Sequence, residues 1–290
     1  NRDSAIDSPD DEKAFYWLKL AAEQGHCEAQ YSLGQKYTED KSRHKDNEQA
    51  IFWLKKAALQ GHTFASNALG WTLDRGEAPN YKEAVVWYQI AAESGMSYAQ
   101  NNLGWMYRNG NGVAKDYALA FFWYKQAALQ GHSDAQNNLA DLYEDGKGVA
   151  QNKTLAAFWY LKSAQQGNRH AQFQIAWDYN AGEGVDQDYK QAMYWYLKAA
   201  AQGSVGAYVN IGYMYKHGQG VEKDYQAAFE WFTKAAECND ATAWYNLAIM
   251  YHYGEGRPVD LRQALDLYRK VQSSGTRDVS QEIRETEDLL

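Results

Sequence analysis

Small and apolar residues recur along this chain at offsets of three and four, and the whole pattern then repeats about every 36 residues. One column is alanine: Ala29, Ala65, Ala99, Ala135, Ala171, Ala207 and Ala243. Four residues on comes Leu33, Leu69, Leu103, Leu139, Ile175, Ile211 or Leu247, each followed by Gly or Ala. A further four on comes a ring, at Tyr37, Tyr107, Tyr143, Tyr179, Tyr215 and Tyr251, with Leu73 as the exception. A second stripe carries Ala14, Ala50, Ala84, Ala120, Ala156, Ala192 and Ala228, each three residues before a tryptophan: Trp17, Trp53, Trp87, Trp123, Trp159, Trp195 and Trp231. The tryptophan intervals are 36, 34, 36, 36, 36 and 36 residues. Offsets of this kind are helical, so each unit is predicted to hold a short helix A near Ala29 to Tyr37 and a longer helix B near Asn47 to Leu59. Small residues let the two helices approach, and the rings of the tryptophan column are expected to fill the core between them. No unit of this size buries such a stripe alone, so the units must stack into an array.

The connections are legible too. Helix B closes on a glycine column, Gly25, Gly61, Gly95, Gly131, Gly167, Gly203 and Gly275, where a left-handed residue ends a helix without a Cβ penalty; Asn239 fills the one remaining place. Between helices A and B run Gly110-Asn111-Gly112, Gly146-Lys147-Gly148, Gly182-Glu183-Gly184, Gly218-Gln219-Gly220 and Gly254-Glu255-Gly256. They read as tight interhelical turns and not as phosphate loops, because no Gly-Lys-Ser/Thr follows and the motif recurs in successive hairpins. Asp116, Asn152, Asp188 and Asp224 precede helix B and read as caps for its exposed amides.

The composite pattern, Ala-x-Ser/Asn-x-Leu-Gly-x-x-Tyr, a Gly-x-Gly-Val turn, Lys-Asp-Tyr and then Ala-x-x-Trp-Tyr-x-Lys-Ala-Ala-x-Gln-Gly, resembles the Sel1-like repeat, a relative of the tetratricopeptide repeat. It covers nearly the whole chain. The expected organisation is a polar lead over 1–10, extended as far as Asp11, and a partial repeat of helix B alone over 11–24. Seven repeats follow over 25–274, starting near 25, 61, 95, 131, 167, 203 and 239, with a capping helix over 275–290. The resemblance implies an all-α fold, a right-handed α/α superhelical solenoid, and a non-enzymatic adaptor of bacterial type. Two turns depart from the pattern. Thr38 to Asp46 is a charged stretch expected to lie in solvent, and Gly76 to Asn80 is shortened, which accounts for the 34-residue interval and predicts a local irregularity.

Composition bears on partners. The formal charge is −8 and basic residues are scattered, so no nucleic acid or anionic membrane is expected, since phosphate backbones demand a basic footprint. No apolar run is long enough for membrane insertion. The two cysteines, Cys27 and Cys238, are expected to lie too far apart to pair. The chain starts inside a unit, as a piece trimmed from a longer precursor would. A periplasmic or secreted location is favoured if a signal peptide has been removed, and a cytoplasmic one is the alternative.

Four tryptophans fall off the main beat: Trp71, Trp105, Trp177 and Trp244. The first three share a helix-A register with Asp141 and Tyr213. By analogy with the tetratricopeptide arrangement, that register and those one and two turns earlier face a concave surface. These registers supply the candidate partner-binding residues Tyr31, Phe64, Asn67, Trp71, Tyr98, Asn101, Trp105, Asn137, Asp141, His170, Phe173, Trp177, Tyr213 and Tyr245. Rings supply contact area and amides pair with an extended backbone. The alternative is that the rings pack on the next helix B.

Other candidates are weaker. His26, His62 and His132 recur just after the glycine and read as helix-end caps; one histidine per unit does not assemble a metal shell, and His217 and His252 add none. Acidic runs such as Asp10-Asp11-Glu12 and Glu144-Asp145 lack a cleft for acid–base work, and neither cysteine has a catalytic constellation. No cofactor or metal and no enzymatic activity is expected. The chain reads as a scaffold binding a protein or peptide partner, as a monomer, in a secreted or envelope-associated bacterial host-interaction factor. The competing reading is an adaptor that assembles a complex through its convex faces and loops.

Overall fold

The computed structural model describes residues 9–39, 44–76 and 78–290, and every regular element among them is a helix. They fall into two compact units. The first, ending at Gln151, holds α1 (Pro9–Glu23), α2 (Cys27–Thr38), α3 (Asn47–Leu59), α4 (Thr63–Arg75), α5 (Tyr81–Glu93), α6 (Ser97–Asn109), α7 (Tyr117–Leu129) and α8 (Ser133–Asp145). The second, Asn152–Leu290, holds α9 (Lys153–Gln165), α10 (Arg169–Ala181), α11 (Tyr189–Ala201), α12 (Val205–His217), α13 (Tyr225–Glu237), α14 (Ala241–Tyr253), α15 (Leu261–Ser274) and α16 (Ser280–Asp288). Within each unit every helix packs on the next in sequence, giving a stack of helix pairs in which even-numbered helices are A and odd-numbered ones B.

Two expectations about lengths change. Helices A and B are equally long: α4 and α5 have 13 residues each, because helix A starts two residues after the glycine rather than four. Helix α1 begins at Pro9, inside the stretch expected to be extended, and proline is well suited to a first helical turn. Residues 1–8 lie outside the described residues.

The B-to-A turn closes as its glycine requires. Gly61 has φ +86°, its N–H donates to Ala58 O at 2.9 Å, and the following His62 N–H reaches back to Ala57 O at 3.2 Å. Asn239, at φ 61°, is the one non-glycine residue with positive φ among the described residues, at the place the column assigns to it. Asp116, Asn152, Asp188 and Asp224 all cap helix B by accepting backbone N–H groups in its first turn. In the A-to-B turn the second glycine has a different duty. A Cβ on Gly220 would lie 2.6 Å from the carbonyl oxygen of Tyr189, at the start of the preceding helix B, so this glycine is where successive repeats touch backbone to backbone.

The shortened turn is irregular only locally. Gly76 is extended and not left-handed, yet Asn80 N–H donates to Leu73 O at 2.8 Å, the bond that Asp116 makes to Tyr107 O in the next repeat. The charged turn is only partly described, since residues 40–43 lie outside the described residues. His44 is packed and not solvated: its ring stacks on Phe15 at 3.9 Å and its Nε2 lies 3.1 Å from Glu12.

The core corrects the ranking of the tryptophans. The deepest column lies one residue after them: Leu54, Tyr88, Tyr124, Tyr160, Tyr196 and Phe232 are 0–2 % exposed, as is Tyr268, at the same register but after Leu267. The small residue of helix A makes room for it. A Cβ on Gly104 would come 2.7 Å from the Tyr124 ring, and one on Gly70 would come 2.8 Å from that of Tyr88. The tryptophans flank this core. Trp53, Trp87 and Trp195 are buried, Trp123, Trp159 and Trp231 are half-buried, and Trp17 is 63 % exposed.

Polar contacts recur in the stack of each unit. The buried Gln30, Gln100, Gln136 and Gln172 donate through Nε2 to Ala22 O, Ala92 O, Ala128 O and Ala164 O. Gln60, Gln130 and Gln202 in turn donate to the Oε1 atoms of Gln30, Gln100 and Gln172, each at 2.8 Å. These bonds bind neighbouring repeats and satisfy amides that would otherwise be costly to bury.

Candidate functional site

Helix A presents the candidate residues because its Ala and Leu columns are committed to the core, which turns the intervening registers outward. Trp71 on α4, Trp105 on α6 and Trp177 on α10 are 44 %, 42 % and 46 % exposed, so close to half of each residue is open to solvent. Phe64, Tyr98 and His170 are exposed, and Tyr31, Asn67, Asn101, Asp141, Phe173, Tyr213 and Tyr245 are half-buried. Asn137 is buried, so its amide faces the stack and not an open surface.

In the first unit these residues line adjoining cavities. One of about 360 Å³ is walled by Tyr31, Phe64, Asn67, Trp71 and Tyr98, with Met96 and Leu54 at its base. A second, of about 300 Å³, is lined by Asp74, Arg75, Asn101, Asn102 and Trp105. The rings are braced by histidines: Tyr31 stacks on His62 at 4.5 Å, and Tyr98 meets His132 edge-on at 4.6 Å. Amides bridge successive A helices, with Asn102 Nδ2 donating to Asn67 Oδ1 at 3.2 Å and Asn138 Nδ2 to Asn101 Oδ1 at 3.1 Å. Asp141 is engaged as well, its Oδ2 accepting from Arg108 at 3.1 Å.

Charge in this region centres on Asp74. Its side chain is only 9 % exposed; Oδ2 accepts from the Tyr88 hydroxyl at 2.8 Å, while Oδ1 is buried without a hydrogen bond. Burial raises the carboxyl pKa, opposed by the Tyr88 hydrogen bond and by Arg75. The Arg75 guanidinium lies over Trp71, 5.2 Å from the ring centroid.

The second unit has a different face. Phe173 extends towards Gly206, where a Cβ would lie 3.0 Å from its ring, and a cavity of about 360 Å³ opens there beside Arg169, His170 and Ser204. Tyr213 accepts from Asn246 Nδ2 at 3.0 Å. Tyr245 is covered from within the chain: its hydroxyl donates to Glu282 of α16 at 3.2 Å, and Arg277 lies 3.8 Å above its ring.

The histidines divide. His62 and His132 cap helix A by accepting the Ala65 and Ala135 N–H groups through Nδ1, whereas His26 makes no such bond. Burial lowers the His132 pKa. His217 stacks on Tyr213 and His252 bonds Thr286. Cys27 and Cys238 are free thiols. Among the described residues no cluster of three metal-ligating side chains occurs, and no helix is long and apolar enough to cross a membrane.

One exposed feature escaped the sequence reading. The residue before six of the seven tryptophans of the beat is itself large, apolar and exposed on helix B: Tyr16, Phe52, Val86, Phe122, Phe158 and Tyr194, with Glu230 before Trp231. The rings among them meet the adjacent tryptophan edge-on, as Phe122 meets Trp123 at 4.9 Å. The signal was present as the column one residue ahead of the tryptophans, eclipsed by them.

Comparison with known proteins agrees with this architecture. The family model described as Sel1 repeat matches residues 7–26, 27–62, 63–96, 97–132, 133–168, 169–204, 205–240 and 241–270. A protective antigen present in uropathogenic Escherichia coli strains, displaying an SLR fold, is 36 % identical with a TM-score of 0.84 over 90 % of this chain. The present chain spans 56 % of that antigen's length. A Sel1 repeat protein from Oxalobacter formigenes is 33 % identical with a TM-score of 0.68, the match covering 74 % of this chain and 86 % of that one. Eight consecutive matches, in phase with the helix pairs and shared with two bacterial relatives above 30 % identity, make this chain a member of the Sel1 repeat family of helix-pair repeats.

Proposed function

We propose that the chain binds a protein or peptide partner on the A-helix face of its units, the face expected to be concave, with the rings of Trp71 and Trp105 in the first unit and of Trp177 in the second as anchors. The observation that carries this reading is the exposure of those three indoles at a single register. The helix pairs are already closed by the tyrosine column, so the stack has no need of these rings, and large aromatic side chains beside polar groups are the usual anchors of protein interfaces. The aromatic cavity around Trp71 accepts an apolar side chain. The Nδ2 groups of Asn67 and Asn101, whose oxygens are taken by neighbouring amides, are donors for a partner's backbone carbonyls. Likeness to a protective antigen of uropathogenic Escherichia coli supports a bacterial, host-facing setting for this binding. The test is capture of partners from host-cell extract by the intact chain and by a Trp71→Ala/Trp105→Ala/Trp177→Ala variant. Loss of a partner in the variant supports the reading, and unchanged capture removes it.

A second reading rests on the outer stripe. In the first unit Phe52 and Phe122 are each 47 % exposed, and a flat partner laid across its B helices would cover them. This is the convex-face adaptor, and it predicts that Phe52→Ser/Phe122→Ser removes binding while the tryptophan variant keeps it.

A further inference from the structure

The cavity between α4 and α6 combines three features of one chemistry. The first is a carboxylate with an unused oxygen: Asp74 Oδ1 is buried with no hydrogen bond, and its nearest cation, Arg75 Nε, is 3.6 Å away, beyond hydrogen-bond reach. An unsatisfied buried acceptor is costly, and a donor carrying positive charge relieves it most. The second is a neutral acceptor, since Asn102 spends its Nδ2 on Asn67 and retains Oδ1. The third is the half-exposed indole of Trp105, whose face attracts a cation. The volume of about 300 Å³ accommodates one long side chain. Arg75 shows the same preference from within the chain: two-thirds exposed, it lies over the neighbouring Trp71 and leans towards Asp74.

We propose that this cavity is a subsite for an arginine or lysine side chain of a protein partner, with Asp74 and Asn102 accepting its protons and Trp105 covering its charge. The proposal rests on the reading that the A-helix face binds a partner, and it gives that partner a chemistry: a basic residue beside the apolar residue that the Trp71 cavity takes. The formal charge of −8 adds long-range attraction of the same sign. An acidic side chain would instead enter against Asp74, with Arg75 as its one cationic contact among the lining residues.

The test uses the full chain and three fluorescein-labelled nonapeptides that alternate leucine with arginine, glutamate or glutamine. Binding is read by anisotropy and by the indole N–H resonance of Trp105. The arginine peptide is expected to bind at least about tenfold more tightly than the glutamine peptide and to shift the Trp105 resonance. Asp74→Asn keeps an acceptor for Tyr88 and is expected to lower that affinity about tenfold; Trp105→Ala lowers it about threefold or more. Arg75→Gln raises it by removing the competing cation. Should Asp74→Asn not fold, Arg75→Gln and Trp105→Ala, both at exposed positions, decide the matter. A glutamate peptide that binds best and is weakened by Arg75→Gln overturns the proposal, as does an arginine peptide that leaves the Trp105 resonance unmoved. Equal binding of all three peptides, lost in Trp105→Ala, overturns the basic subsite and leaves the binding face standing.

Discussion

Both faces of the helix pairs expose rings, but they do so in different ways. On the B helices exposure is regular: Phe52, Phe122, Phe158 and Tyr194 recur at one register, each against its own tryptophan. On the A helices the register of Trp105 reads Gln35, Trp71, Trp105, Asp141, Trp177, Tyr213 and Ile249. A feature present in nearly every unit of a stack answers a need common to every unit, which is to stack. A register that changes chemistry from one unit to the next, while its neighbours hold the fold constant, carries information about something outside the stack. The proposal of a binding face on the A helices rests on this difference, and the regular B-helix stripe fits an architectural duty.

The comparison is broken most forcefully from the core. Tyr124→Ala removes a fully buried ring against Gly104 and is expected to cost about 3–5 kcal/mol. Because cooperativity in a stack is local, the loss should appear in hydrogen exchange first in α6 and α7. Trp105→Ala, one helix away and half in solvent, is expected to change stability by no more than about 0.5 kcal/mol. Equal costs for the two would erase the distinction between the columns.

Smaller effects sharpen it. Asp116→Ala deletes an oxygen that accepts the Ala118 and Leu119 N–H groups, and should cost about 1 kcal/mol in chemical denaturation. His132 supplies a pH dependence. Its Nδ1 accepts the Ala135 N–H, and burial depresses its pKa in the folded chain. The unfolded state then takes up the proton first as pH falls, so the stability from His132 is complete above the unfolded value of about 6.5 and is lost as pH drops below it. His132→Asn, which keeps a capping oxygen, should flatten that part of the stability–pH curve.

Much of this was legible from residue types whose duty is local. A left-handed turn needs glycine or asparagine, and a helix start needs an aspartate or asparagine, so Gly61, Asn239 and Asp116 announced their roles. The core was harder. Tryptophan is the largest residue, and its beat drew attention away from Tyr88 and Tyr124, which fit the space left by Gly70 and Gly104. The buried glutamines were not legible either, because their partners are carbonyls eight residues back and amides thirty residues on, contacts that only stacking creates. At the site, the register of the three exposed indoles was readable from helical spacing. The coverage of Tyr245 by α16 and the burial of Asn137 depend on neighbouring repeats and were not.

Hydroxyl-radical footprinting of the chain, free and bound to a partner captured by it, sets the two faces directly against each other. The account predicts that oxidation of Trp71 and Trp105 falls on binding while that of Phe52, Phe122 and Phe158 is unchanged. Protection of the phenylalanines with Trp71 and Trp105 still fully oxidised would contradict it.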